Sequence, residues 1–266
     1  MKIIHNRLFP VFVIGLALLV LWETASWYLT EVLDTNMAQS KLPYLHEMAA
    51  TLFTYSPTLL HEGWSTFMNA GLGFLLGAAV GSLLAIIMSL SVWVERVSFP
   101  YIIISQMIPV LGLAPIIYGI VQDENWSRIV IAAYITFFPV NLNLLKGLRS
   151  TSPQALELMR SYAARTWSIY WKLRLPNGLP GLFSGLKIAA PLSVTAAILV
   201  EMMGAQHGLG VIMLRNLYYG PANTYLFWST VAAAALTGII NYLIISGLER
   251  ALTPWQPAYR NKGGER

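Results

Sequence analysis

Six long apolar runs, separated by shorter polar segments, organise this chain. They cover residues 8–29, 68–90, 99–121, 129–145, 182–203 and 226–248. A helix needs roughly 20 mostly apolar residues to cross a bilayer, so each run predicts a membrane span. The expected fold class is therefore an all-α integral membrane protein with six transmembrane helices. The segment over 157–176, ELMRSYAARTWSIYWKLRLP, breaks the pattern. Arg160, Arg165, Lys172 and Arg174 stand there against the acid Glu157, while Leu156, Met159, Ala163, Trp167, Tyr170 and Leu173 recur at helical spacing. Such an amphipathic, basic segment is suited to lie on a surface or dock into a partner. Thr151-Ser152-Pro153-Gln154 supplies N-cap hydroxyls and a first-turn proline, which predicts a helix to about Ala163. A turn near 164–166 then leads to a short second helix over 167–174, which Leu175-Pro176 is expected to stop.

Composition supports burial in lipid. Of 266 residues, 56% are hydrophobic and 11% charged, against about 25% charged in soluble domains. A net charge of +5 invites a nucleic-acid reading, but the charges sit in loops between apolar runs, where topology uses them. With a cytoplasmic N-terminus, fourteen of the seventeen Lys and Arg fall on inner segments; only Lys41, Arg128 and Arg215 fall outside. Glu31, Asp34, Glu47, Glu62, Asp123 and Glu124 lie on outer segments instead. This positive-inside bias places both termini in the cytoplasm. The first run, preceded by Lys2 and Arg7, resembles a signal peptide, but its length and the lack of a clean cleavage site favour an uncleaved span. The chain reads as one domain over 1–266, with an inner loop at 146–180 and a cytoplasmic tail at 253–266. In the outer segment 31–64, residues 45–55 suit a short amphipathic helix. The last outer connection, 204–224, is broken by Gly204, Gly208, Gly210, Gly220 and Pro221.

Several residues inside the runs are candidates for function. Gly73, Gly77 and Gly81 form a small-residue face for close helix packing, within the bundle or against another subunit. Pro100, Pro109 and Pro115 bend the third run. Gln106, one turn before Pro109, makes that bend a candidate for the translocation path. Glu201, followed by Met202 and the breaker Gly204, suits the path, a latch to an outer-loop amide, or contact with interfacial water. Glu23 suits a hydrogen bond to a neighbouring helix, and Lys187 suits snorkelling. The four histidines show no metal spacing, and no cysteine is present, so thiolate sites are excluded. No phosphate-binding loop occurs, since Gly181–Lys187 has the wrong spacing. No catalytic constellation for hydrolysis is visible either. Uphill transport would need energy from a partner or an ion gradient.

The 157–176 segment resembles the EAA motif of permease subunits of type I, binding-protein-dependent ABC importers. Glu157 stands at the motif's first position and Leu175-Pro176 at its last two, with the full spacing between. Leu158 and Met159 replace two alanines, Ala163 the glycine, and Leu173 the isoleucine. Gly147-Leu148-Arg149, the PVLGLAP stretch from Pro109 to Pro115, Leu42-Pro43, Glu201-Met202 and Gly208-Leu209-Gly210 are similar to the nitrate, sulfonate and taurine branch. The resemblance implies a bacterial inner-membrane permease, working as a dimer with a second permease subunit, a homodimer by expectation. It implies an ATP-binding cassette subunit on the cytoplasmic face and a periplasmic or lipid-anchored solute-binding protein. Glu157, Arg160, Ala163, Ala164, Arg165, Leu175 and Pro176 would couple to the ATPase, which would hold ATP and magnesium. No cofactor, metal or nucleic acid is expected on this chain. The implied solute is a sulfonate, taurine or nitrate-like anion, the alternatives being a heterocyclic vitamin precursor or, outside the family, a secondary transporter or channel.

Overall fold

The structure, a computed structural model, describes residues 8–218 and 223–256. Its described elements are α1 (Leu8–Trp27), α2 (Ala38–Lys41), α3 (Leu45–Thr54), α4 (Ser56–Leu90), α5 (Val92–Met107) and α6 (Val110–Val121). They continue as α7 (Glu124–Arg149), α8 (Pro153–Ser161), α9 (Thr166–Ile169), α10 (Leu175–Glu201), α11 (Leu209–Tyr218) and α12 (Thr224–Leu252). Wider π-helical turns follow α1 at Tyr28–Val32 and α9 at Tyr170–Arg174. Five helices are long and apolar enough to cross a bilayer, and α5 with α6 supplies a sixth, broken crossing. The expected 45–55 helix is α3.

The third run bends by 95° between α5 and α6. Pro109 lacks an amide proton and pushes the preceding residue out of the helical region. Ile108 accordingly adopts φ −75°, ψ 119°. Pro100, Pro115, Pro139, Pro180 and Pro191 stay inside helices.

Two helices flank α7 at close range. α4 runs parallel to it, with Gly73, Gly77 and Gly81 facing Ile129, Ala133 and Phe137 in turn. A Cβ at Gly81 would come 2.5 Å from the Phe137 carbonyl oxygen. The small-residue face therefore packs two helices of this chain together, where glycine lets backbones approach. α10 runs antiparallel on α7, and a Cβ at Gly181 would come 2.5 Å from the Asn143 carbonyl oxygen. α12 then packs on α10: Asn241 donates to the Ala190 carbonyl at 2.9 Å, and Lys187 Nζ meets Glu249 at 2.8 Å. Lys187, expected to snorkel, is paired between two helices.

α1 stands largely exposed on the flank of the bundle. Its last turns are fastened to the 42–45 segment. Trp22 donates to the Pro43 carbonyl at 2.9 Å, Ser26 donates to the Leu42 carbonyl at 2.9 Å, and Glu23 accepts the Leu45 amide at 2.8 Å. The expected structural role of Glu23 is seen directly.

Helix starts depart most from the hydropathy pattern. α4 begins at Ser56 rather than 68, α7 at Glu124 rather than 129, and α10 at Leu175 rather than 182. The added turns carry His61, Glu62, Thr66, Arg128 and Asn177, polar residues that hide a helix from a hydropathy reading. At the other end of the chain, Thr253 is buried and donates to the Glu249 carbonyl at 2.7 Å. The rest of the expected tail, 257–266, lies outside the described residues.

Candidate functional site, an exposed docking helix and a buried carboxylate clasp

The loop over 146–180 forms a short helix capped at both ends. The Ser152 hydroxyl accepts the Ala155 amide at 3.2 Å, and Pro153 occupies the first turn. At the other end the Ala163 amide donates to the Arg160 carbonyl at 2.8 Å, and the Ala164 amide to the Met159 carbonyl at 3.1 Å. This pair of bonds is a Schellman motif, which needs a left-handed residue. Ala163 provides it with φ +50°. The alanine at the motif's glycine position thus keeps the glycine-type turn.

No residue of α8 is buried. Glu157 and Arg160 face solvent on it, Ala163 and Arg165 are exposed in the turn, and Ala164 is half-buried there. Leu158, Tyr162, Trp167 and Trp171 add exposed apolar surface around them. The base of the loop is secured to the bundle. Tyr170 is buried and its hydroxyl bonds Ser89 of α4 at 2.8 Å, and Arg149 is ion-paired with Glu95. The expected stop at Leu175-Pro176 does not occur. Arg174 keeps φ −69°, ψ −46°, so the chain passes through the π turn into α10. Pro176 sits in the first turn of α10, where its missing amide proton costs little.

At the opposite end of the bundle, polar side chains from three helices hold the α10–α11 turn. Glu201 is 1% exposed. One of its oxygens accepts the Thr66 hydroxyl at 2.8 Å and the other accepts the Gly210 amide at 2.8 Å. Thr66 in turn accepts the Leu209 amide at 3.1 Å. Glu62 accepts the Gly208 amide at 2.5 Å and lies 3.6 Å from His207 Nδ1. Glu124 accepts the Gln206 and His207 amides at 3.1 and 3.3 Å. Arg128, also 1% exposed, lies 3.4 Å from Glu201 and is ion-paired with Glu124. Gly208, at φ +116°, turns the chain into this cage, and no Cβ would fit there beside the Glu201 carboxylate.

Of the uses expected for Glu201, the geometry shows the latch to a loop amide. Met202 follows it as the C-cap of α10. Gln106 and Pro109 flank the α5–α6 break, at the other end of α6 from the clasp. There Tyr134 donates its hydroxyl to the Ser105 carbonyl. A groove of about 450 Å³ between α10 and α12 is lined by Pro191, Thr195, Ile198, Ala235, Gly238 and Tyr242. Sequence reasoning missed the grouping of Glu62, Thr66, Glu124 and Arg128. Its available signals were the Asp123 N-cap, which accepts the Trp126 amide at 2.8 Å, and the four-residue spacings of Glu62 with Thr66 and Glu124 with Arg128.

The family model for the binding-protein-dependent transport system inner membrane component matches residues 73–256. The chain belongs to this family. It is similar to the formylaminopyrimidine transport permease protein ThiX of Halalkalibacterium halodurans, with 31% identity over 91% of this chain and 93% of that one. Similarity to the taurine transport system permease protein TauC of Escherichia coli is 26%, over 91% of this chain and 87% of the relative. An amino acid ABC transporter structure shares the fold, with a TM-score of 0.60 at 17% identity over 78% of this chain and 98% of that chain. The permease is thus a multi-pass membrane transport component of the type I ABC importer class, in the branch that includes taurine permeases.

Proposed function

We propose that this permease is the membrane subunit of an ATP-driven importer and forms the path for a small solute delivered by a binding protein. The carrying observation is α8, capped at both ends, unburied along its length and fixed at its base to α4 and α5. An amphipathic element held out in this way is ready to enter a partner's groove. The charge bias of the loops supports a cytoplasmic location for this end, and so for both termini. The partner there is an ATPase subunit carrying ATP and magnesium, docked through Glu157, Arg160, Ala163, Ala164 and Arg165. Leu175 and Pro176 pass its motion into α10. A second permease copy completes the assembly in the bacterial inner membrane, and the binding protein docks at the clasp end.

The solute we propose is a small neutral heterocycle of the pyrimidine type. The two basic residues in the body of the spans, Arg128 and Lys187, are each paired with a carboxylate. That leaves them poorly placed to receive an anion. The similarity to ThiX supports the same class. Similarity to TauC supports the anion reading over an equal share of the chain, so both solutes belong in the test.

Changing Glu157 and Ala163 separately to Arg should abolish uptake and weaken ATPase association while insertion is kept. Unchanged uptake with unchanged co-purification of the ATPase would refute the docking role. Labelled formylaminopyrimidine and taurine, offered in parallel to the reconstituted system, decide the solute class.

A further inference from the structure

We propose that Glu201 and Arg128 are positioning residues for transport. They fasten the α10–α11 turn to α4 and α7, so that displacement at the docking end of the chain reaches the opposite mouth of the bundle. The inference rests on the importer reading above.

Continuity of the chain is the first support. Thr166–Glu201 is a single helical stretch of 36 residues, about 54 Å long at the usual rise. It starts at the residue after Arg165, where the docking turn ends, and it finishes on Glu201 itself. No loop interrupts it, because the π turn and the Arg174–Leu175 step keep helical dihedrals. The same rod thus carries the docking turn at one end and the clasp at the other.

A second support comes from the turn beyond the rod. Residues 202–208 are not α-helical, and Gly204 and Gly208 take φ +130° and +116°. Left alone, such a segment would bend and absorb any movement of α10. Instead the amides of Gln206, His207, Gly208, Leu209 and Gly210 are all donated to side chains of Glu124, Glu62, Thr66 and Glu201. Glu62 and Thr66 belong to α4, and Glu124 to α7. The turn is therefore tied both to the end of its own rod and to two neighbouring helices.

Charge supplies the third. Water alone could satisfy the amides of an interfacial turn. Burying ions costs several kcal/mol each unless they are paired and hydrogen-bonded. Arg128 meets two of the three carboxylates, so the Glu201 side chain, 1% exposed, is buried beside a cation rather than alone. A neutral cap would satisfy one or two amides without joining three helices.

The test uses the full complex of permease, ATPase and binding protein in liposomes. The probe is whichever of formylaminopyrimidine and taurine the wild-type complex imports. Solute moved per ATP hydrolysed is compared for wild type, Glu201→Gln and Glu62→Gln. Hydrogen exchange is read on a peptide spanning 202–213. Glu201→Gln is expected to speed exchange there about tenfold, as loss of one of its two acceptor oxygens loosens a local opening unit. Solute moved per ATP should fall about fivefold or more, with ATPase binding kept. A merely structural role would lower uptake and hydrolysis together and leave that ratio unmoved. Glu62→Gln, which holds one amide at the edge of the clasp, should fall between. A wild-type ratio in Glu201→Gln with a loosened turn overturns the proposal, and so does unchanged exchange. Should Glu201→Gln fail to insert, the same two readings on Glu62→Gln decide. A wild-type complex that hydrolyses ATP but moves neither probe overturns the importer reading instead.

Discussion

Replacing Ala163 by glycine should tighten the docking turn. Ala163 holds φ +50° as the left-handed residue of the Schellman motif that ends α8. A Cβ in that region costs roughly 1–2 kcal/mol, which glycine avoids. Glycine loses more freedom on ordering, which returns about 0.5–1 kcal/mol of the gain. The net benefit for Ala163→Gly is therefore about 0.7 kcal/mol, or roughly a threefold shift in the local opening equilibrium. The amides that report it are those of residues 163 and 164, which donate to Arg160 and Met159 at 2.8 and 3.1 Å. Hydrogen exchange of a 158–166 peptide, corrected for intrinsic rates, should slow about threefold at these two positions. Ala163→Val places a branched side chain in the same region and should speed exchange. Faster exchange in the glycine variant, or no difference between glycine and valine, would refute a left-handed Ala163.

Further consequences can be checked in the same preparation. Ser152→Ala removes the cap on the Ala155 amide and should destabilise α8 by about 1 kcal/mol, seen as faster exchange confined to 153–157. Gly81→Leu drives a side chain into the Phe137 carbonyl, which sits 2.5 Å from the Cβ position. It should cost about 3 kcal/mol or more as overpacking of the α4–α7 contact, read as a lower melting temperature in detergent. Asn241→Leu gives up its bond to the Ala190 carbonyl at 2.9 Å. It should cost about 1 kcal/mol, measured by the same melting assay. The chain has no cysteine, so Ala235→Cys reports cleanly on the α10–α12 groove. It should react with a charged thiol reagent if the groove carries solute, and stay unreactive if lipid fills it.

Local pattern accounts for much of what was legible in advance. A membrane span is a property of some 20 consecutive residues, so the apolar runs announced the crossings without a structure. The α8 start was equally visible, because Ser152 and Pro153 act on the turn that follows them. The α5–α6 bend follows from Pro109, whose ring acts on its own backbone and the residue before it. Errors gathered where polar residues extend helices past their apolar runs. Glu62 read as part of an outer segment, and Arg128 as an outer-loop charge, although both lie within helices. Leu175-Pro176 looked like a stop because Pro disfavours the helical interior, yet it falls in the first turn of α10, where the penalty is small.

The sequence by itself determined a six-span helical bundle with a basic, capped loop, because burial in lipid and helix capping depend on neighbours in the chain. Tertiary structure alone decided which charges are buried together. Glu62, Glu124, Arg128 and Glu201 lie far apart along the chain, and each is costly in an apolar setting when alone. Only the parallel packing of α4 on α7, with α10 antiparallel beside them, brings them within hydrogen-bond reach of one turn. A buried charge is tolerated through partners that a linear pattern does not contain, and so the clasp exists only in the folded chain.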